Sequence, residues 1–260
     1  MLTTLKRYLG KLAHLSPASV YELLSAPGLI PMRVNAPAPL DPIAAALRLL
    51  PDLTIEQATQ FQRELLGNHV FFDALNRAMF ATRERRIRWT PWNEFLYITV
   101  RSLQPRVMIE TGVFDGQSSA VTLLAMQDND AGLLVSIDLP ATDTISGSTH
   151  LMRESSLPMG RLPGWLIPDS LRARHRLELG DARELLPRFC REYHPFDIFM
   201  HDSLHTHEHM SFEYMTAWPH LRAGGLLLSD DIMWNAAFHN FCRAAHKRYV
   251  VVNGFGATCK

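Results

Sequence analysis

Val107-Met108-Ile109-Glu110-Thr111-Gly112-Val113-Phe114-Asp115-Gly116-Gln117-Ser118-Ser119 decides the fold. An apolar run of strand character ends in an acidic residue, passes through a turn bearing two glycines, and enters a segment of helical spacing. Gly112 and Gly116 let the backbone pass close to a ligand, and Ser118 or Ser119 can cap the helix that follows. The free N–H groups of such a helix start attract a carboxylate or phosphate, so an anionic small molecule is expected there. The spacing is GxxxG after an acid, not the GxGxxG of a dinucleotide fingerprint, which disfavours NAD.

Working outward, short apolar runs recur at Leu133–Asp138, Leu177–Leu179, Asp197–His201 and Gly225–Ser229, with helical stretches between them. Strands alternating with helices predict a parallel sheet built from crossovers. After Asp231 a helix near Ala236–His246 leads to two β-prone runs, Arg248–Asn253 and Phe255–Lys260, around Gly254, which predicts an antiparallel hairpin at the sheet edge. The fold class is therefore α/β, a doubly wound, mostly parallel seven-stranded sheet with a C-terminal hairpin.

Upstream, residues 1 to about 85 read as helical segments broken by a Pro-rich arm from Pro27 to Pro42. Pro42–Leu50 and Thr54–Phe80 carry helical spacing, with Thr54 and Gln57 placed for a capping box. Two regions result: residues 1–88, a helical extension suited to a lid, a dimer contact or a substrate cover, and residues 89–260, the ligand-binding α/β domain. The Ser-, Thr-, Pro- and Gly-rich segment Leu139–Arg172 follows a strand end and reads as a lid.

Lys plus Arg and Asp plus Glu balance at 26 each, so no global field favours nucleic acid or an anionic membrane. The local basic run Arg83–Arg88 reads as a solvated helix end. Three cysteines without CxxC spacing (Cys190, Cys242, Cys259) argue against a disulfide framework or a structural zinc and suit a reducing cytoplasm. Lys6, Arg7 and Lys11 interrupt the start before a secretory core or membrane span could form.

Acidic residues at successive strand ends narrow the chemistry. Asp138, ending the second run, is placed to accept from both ribose hydroxyls of a nucleoside. Asp181, after the third run, either takes an adenine amino group or caps the next helix. The fourth run ends His201-Asp202-Ser203-Leu204-His205-Thr206-His207 and the fifth Ser229-Asp230-Asp231. Asp230 and Asp231 point to opposite faces of a regular strand, so they share a ligand only where the strand breaks into a turn. Clustered carboxylates need a proton or a cation, and an oxygen set suits Mg²⁺ or Ca²⁺. His205 is the candidate base with Asp202 as the alternative, and His205 as a helix brace is the bland reading. His201, His205 and His209 fall at i, i+4 spacing, but His201 belongs to the strand, so a zinc-binding helical face is not expected.

In this order the chain resembles the class I S-adenosylmethionine-dependent methyltransferases, over roughly residues 92 to 260, with Glu110 through Gly116 matching their first motif. The resemblance implies a Rossmann-like fold and places Gly112, Gly116 and Ser118 at the methionine moiety, Asp138 at the ribose, and Asp181 with Ala182 at the adenine, with Glu110 also among the cofactor-binding residues. Asp202-Ser203-Leu204-His205 with Asp230-Asp231 also resembles the metal-dependent O-methyltransferases that modify sugars of natural products. It implies Mg²⁺ on Asp202, Asp230 and Asp231, Asp202 and His205 as catalytic groups, and a small-molecule hydroxyl as acceptor. Ser203 and Leu204 depart from the commoner Asp-Gly-Asp-His version. Two other readings remain open here: a hydroxylase-associated enzyme of the same fold, and a non-catalytic nucleoside-binding subunit. The N-terminal helices suit a homodimer contact.

Overall fold

A computed structural model of the chain describes residues 36–139 and 157–260. The N-terminal basic start, most of the Pro-rich arm and residues 140–156 of the expected lid lie outside the described residues.

Four helices precede the sheet: α1 (Pro42–Leu49), α2 (Ile55–Leu66), α3 (His69–Arg83) and α4 (Pro91–Leu103). Asp41 caps α1, accepting from Ala44 N–H, and proline at its first position costs no hydrogen bond. The expected capping box is present: Gln57 N–H donates to Thr54 Oγ1 at 3.2 Å and Thr54 N–H to Gln57 Oε1 at 3.0 Å. The single helix expected over Thr54–Phe80 is instead two, divided at Gly67-Asn68. Asn68 offers its side-chain oxygen to Phe71 N–H and restarts the helix as α3.

The sheet then forms from β1 (Val107–Thr111), β2 (Leu133–Asp138), β3 (His175–Leu179), β4 (Phe196–His201), β5 (Leu221–Ser229), β6 (Tyr249–Val252) and β7 (Phe255–Cys259). Between them run α5 (Gln117–Asp128), α6 (Ala182–Glu192), α7 (His207–Ala217) and α8 (Ala237–Ala244), with 3₁₀ turns at Asp169–Arg174 and Trp218–His220. The strand order is β3-β2-β1-β4-β5-β7-β6, parallel from β3 to β5 and antiparallel across β5-β7 and β7-β6. The mostly parallel seven-stranded sheet and its C-terminal hairpin are as the sequence predicts. β1 and β4 are buried on both faces, which is why they read as unbroken apolar runs and not as alternating ones.

Helices cover both faces. One core joins α4, α5 and the inner residues of α1 to α3 to one side of the sheet; the other packs α6, α7 and α8 on the opposite side. The chain before α1 is tied to the sheet as well, since Leu40 N–H donates to Val251 O on the edge strand β6. That bond occupies part of an edge that would otherwise be open to another chain.

Because strand order reverses between β1 and β4, their carboxyl ends open a crevice at the switch point, the usual ligand site of such sheets. Asp202 N–H donates to Thr111 O (2.8 Å) and Asp230 N–H to His201 O (2.9 Å), so parallel pairing runs one residue past β4 and β5 and fixes both aspartates at that edge.

Candidate active site

The turn after β1 is held from three sides. Asp138 at the end of β2 accepts Val113 N–H (2.9 Å) and Phe114 N–H (2.8 Å) on one oxygen. The segment after residue 156 lies across the turn: Gly164 N–H donates to Phe114 O and Leu166 N–H to Asp115 O. Asp115, 5% exposed, accepts Arg83 Nη2 (2.6 Å) from α3 and Trp165 Nε1 (2.7 Å) from that segment. Arg83 also lies over the Phe114 ring, 5.0 Å from its centre. Gly112 and Gly116 have φ of 81° and 92°, a left-handed backbone that side chains disfavour. A Cβ on Gly112 would stand 2.0 Å from Asp202 O, and one on Gly116 2.7 Å from Gly164 Cα. The closeness of the β1 turn to the end of β4 therefore requires glycine.

Beneath the turn lies Glu110, fully buried, its Oε1 accepting Ser119 Oγ (2.5 Å) and Ser136 Oγ (2.6 Å) while Oε2 has no partner. Burial pushes its carboxyl up to about 7, against the two serine hydrogen bonds that favour the anion. The free native protein thus retains a proton that the unfolded chain loses near its ordinary carboxylate value. Stability from this group falls as pH rises between those two values, by about 3 kcal/mol in all, and is flat above them. Urea unfolding at about pH 5 and about pH 8 should show a smaller pH dependence in Glu110→Gln than in the wild type. Equal dependences would assign the proton elsewhere.

A cavity of about 600 Å³ opens beside the turn, lined by Val113 to Ser118, by Met79, Trp92 and Asn253, and by Asp202, Asp230 and Asp231. Arg85 and Arg88 line it too, so the basic run expected to be plain surface contributes to the wall of the crevice. Glu110, Gly112, Asp138, Asp181 and Ala182 are not in this wall. Asp181 is exposed and accepts Arg183 N–H (2.8 Å) as the cap of α6, the simpler of its two sequence readings.

On the far side of the cavity, ligand atoms of Asp202, His205 and Asp230 lie within 4.8 Å of one another. His205 Nε2 is 3.8 Å from Asp202 Oδ1, is buried, and has no hydrogen-bond partner. Burial, then the neighbouring Asp230 charge, raises Asp202 well above the carboxylate range, and burial with Asp231 beside it raises Asp230 to about 6. Burial and the nearby His201 lower His205 to about 4, leaving its ring neutral near pH 7. Two crowded carboxylates and an unpartnered imidazole nitrogen form a donor set that fits a hard divalent cation. Asp231 takes φ 49°, the break that sequence reasoning required, and lines the cavity outside the three-residue cluster. Sequence reasoning placed Asp231, not His205, with the two aspartates as a ligand. Leu204, 58% exposed, points to solvent and displaces nothing inside.

Two supporting residues escaped the sequence reading. Asn235 Nδ2 donates to His205 O (3.1 Å), pinning the backbone of that residue. Glu213 on α7 joins Thr111, His201, Ser203 and His209, so two of the three evenly spaced histidines, His201 and His209, meet at a carboxylate while His205 does not. Its position four residues after His209 was the only available signal.

A doubly wound sheet with a glycine turn after β1, acids at successive strand ends and an antiparallel β7 defines the class I methyltransferase fold. Residues 109–232 match the family described as "Methyltransferase domain". Among curated proteins it is similar to mycinamicin VI 2''-O-methyltransferase of Micromonospora griseorubida, 35% identical over 100 residues, 36% of this chain and 25% of that one. It is also similar to L-olivosyl-oleandolide 3-O-methyltransferase of Streptomyces antibioticus, 33% identical over 91 residues, 33% of this chain and 24% of that one. The matched stretch thus spans about a quarter of the length of these relatives. Among solved structures, an O-methyltransferase from Bacillus cereus in complex with SAH aligns over 77% of this chain and 96% of that one, with TM-score 0.52 and 15% identity, a likeness of fold. Among the described residues no helix is long and apolar enough to cross a membrane.

Proposed function

We propose that the protein is an S-adenosylmethionine-dependent O-methyltransferase acting on a hydroxyl of a small molecule, with a sugar of a natural product as the acceptor class. The juxtaposition of the glycine turn with Asp202 and Asp230 across one cavity carries this reading, because it sets a donor site beside an acidic acceptor site. The relatives named above, both O-methyltransferases by name and one of them of an L-olivosyl compound, support the acceptor class. The methionine moiety would lie against Gly112, Gly116 and Ser118, with Glu110 beneath. The nucleoside would extend toward Asp138, Asp181 and Ala182.

Asp202 and Asp230, with His205 or Asp231 completing the set, would hold Mg²⁺. Held by these residues, such an ion would supply Lewis acidity that lowers the pKa of the acceptor hydroxyl. His205, neutral near pH 7, takes the hydroxyl proton on Nε2 if it is not itself a ligand; Asp202 is the alternative base. In-line transfer then forms a C–O bond as the sulfonium S–C bond breaks, with no covalent enzyme intermediate, and the pairing of donor and acceptor in one cavity supplies most of the rate. The helices of residues 1–88 and the segment Leu139–Arg172 would shape the acceptor side, and the former could also carry a dimer contact.

Incubation with methyl-deuterated S-adenosylmethionine, Mg²⁺ and a panel of deoxysugar glycosides, read by mass spectrometry, tests this. One labelled methyl per acceptor on oxygen is expected; transfer to nitrogen or carbon acceptors alone would refute the O-directed reading.

A further inference from the structure

Glu213 has no exposed surface, yet its carboxylate is saturated with donors. Thr111 Oγ1 and His201 Nδ1 each donate to Oε2 at 2.6 Å, and Ser203 Oγ and His209 Nε2 each donate to Oε1 at 2.9 Å. These bonds and the neighbouring His201 outweigh burial and hold the carboxyl down at about 2. An isolated buried charge costs several kcal/mol. Filling the contact between α7 and the sheet would not need a charge, since Met210, Tyr214 and Ala217 do it from the same helix.

The identity of the donors is the telling fact. Thr111 immediately precedes Gly112, and His201 and Ser203 are the two neighbours of Asp202 in the chain. Glu213 therefore grips the cofactor turn and the acidic site at one point. The His201 ring it orients stands edge-on to His205, 5.1 Å between centres.

We propose that Glu213 is a positioning residue: by tying Thr111, His201 and Ser203 together it holds Asp202 and His205 at the separation their shared ligand needs, and it sets that pair against the β1 turn. The inference rests on the function proposed above for the reaction itself, but its geometry concerns the Asp202 cluster whatever the acceptor. Glu213 does not line the cavity, so it acts only through these neighbours.

Glu213→Gln preserves shape but turns an amide NH₂ toward donors. Four readouts should separate positioning from scaffolding: thermal unfolding, calorimetric affinity for S-adenosylhomocysteine, Mn²⁺ affinity by electron paramagnetic resonance, and kcat with KM. A folded variant should keep S-adenosylhomocysteine affinity and KM for the donor within about threefold, while Mn²⁺ affinity and kcat each fall about tenfold or more. Ser203→Ala, which removes one donor and leaves α7 intact, should show the same pattern more weakly, with Ser203→Thr restoring it. The Ser203 pair decides the matter if Glu213→Gln does not fold. Unchanged Mn²⁺ affinity and kcat in folded Glu213→Gln, or in Ser203→Ala, would overturn the proposal, as would a wild-type protein that binds no Mn²⁺. If the wild type binds Mn²⁺ but methylates no acceptor, the function proposed above fails while the Mn²⁺ comparison still decides the role of Glu213.

Discussion

Gly112→Ala should abolish binding of S-adenosylhomocysteine, with affinity reduced at least about 100-fold, and lower the thermal midpoint by several degrees. Two costs combine. A φ of 81° places an alanine in left-handed backbone, at about 1 kcal/mol. The larger cost is the new Cβ, 2.0 Å from Asp202 O and 2.4 Å from its carbonyl carbon. Those atoms are backbone, fixed by Asp202 N–H donating to Thr111 O, so relief requires prying β1 and β4 apart at the point where the two half-sites meet. Gly254→Ala is the control. Its φ is 89°, but nothing lies within 4 Å of the added Cβ, so it should lose stability from strain alone and bind as the wild type does. Wild-type affinity in Gly112→Ala would show that the donor does not use this turn.

Asp230→Asn should cut turnover about 10³-fold while raising the thermal midpoint of the metal-free protein by a few degrees. The opposite signs follow from one cause. Asp202 and Asp230 are half-buried side by side; burial and the Asp230 charge raise Asp202 above its ordinary range, and burial with the Asp231 charge raises Asp230, so keeping these charges together costs folding energy. Removing one relieves the repulsion, and under the proposed function the site also loses one of its cation ligands. Affinity for S-adenosylhomocysteine should stay within a few-fold, because Asp230 is not part of the turn. Chelator added to the wild type should reproduce the loss of turnover, and Mg²⁺ should restore it. A variant that is destabilised and still active would make Asp230 an ordinary structural residue.

Much of this site was legible because the relevant contacts are local or follow the sheet period. The unbroken apolar run of β1, the Thr54-Gln57 capping box, the Asn253-Gly254 turn and the acids closing β2, β4 and β5 are each set within a few residues. β3 was legible only from Leu177 because His175 and Arg176 lie on an edge strand, half-exposed, where polar residues are tolerated. β5 starts at Leu221, earlier than Gly225, across an irregularity opposite Phe196–Ile198 that breaks the apolar pattern.

The rest depends on contacts that no spacing encodes. Thr111 and Glu213 are 102 residues apart, and Arg83 and Asp115 are 32 apart. Asp138 was expected at a ribose; in the structure one of its oxygens accepts two N–H groups of the β1 turn, and Leu139 N–H also donates to the carboxylate. The approach of His205 to Asp202 and Asp230, and the left-handed backbone of Asp231 beside them in the cavity wall, are likewise not encoded in spacing.

The central claim is that the turn from Gly112 to Gly116 is part of the methyl-donor site. Calorimetric titration of the wild-type protein with S-adenosylhomocysteine tests it most directly. Saturable binding of one molecule per chain, lost in Gly112→Ala and kept in Gly254→Ala, is the predicted result. No heat of binding to folded wild-type protein, or equal binding by all three proteins, would contradict it.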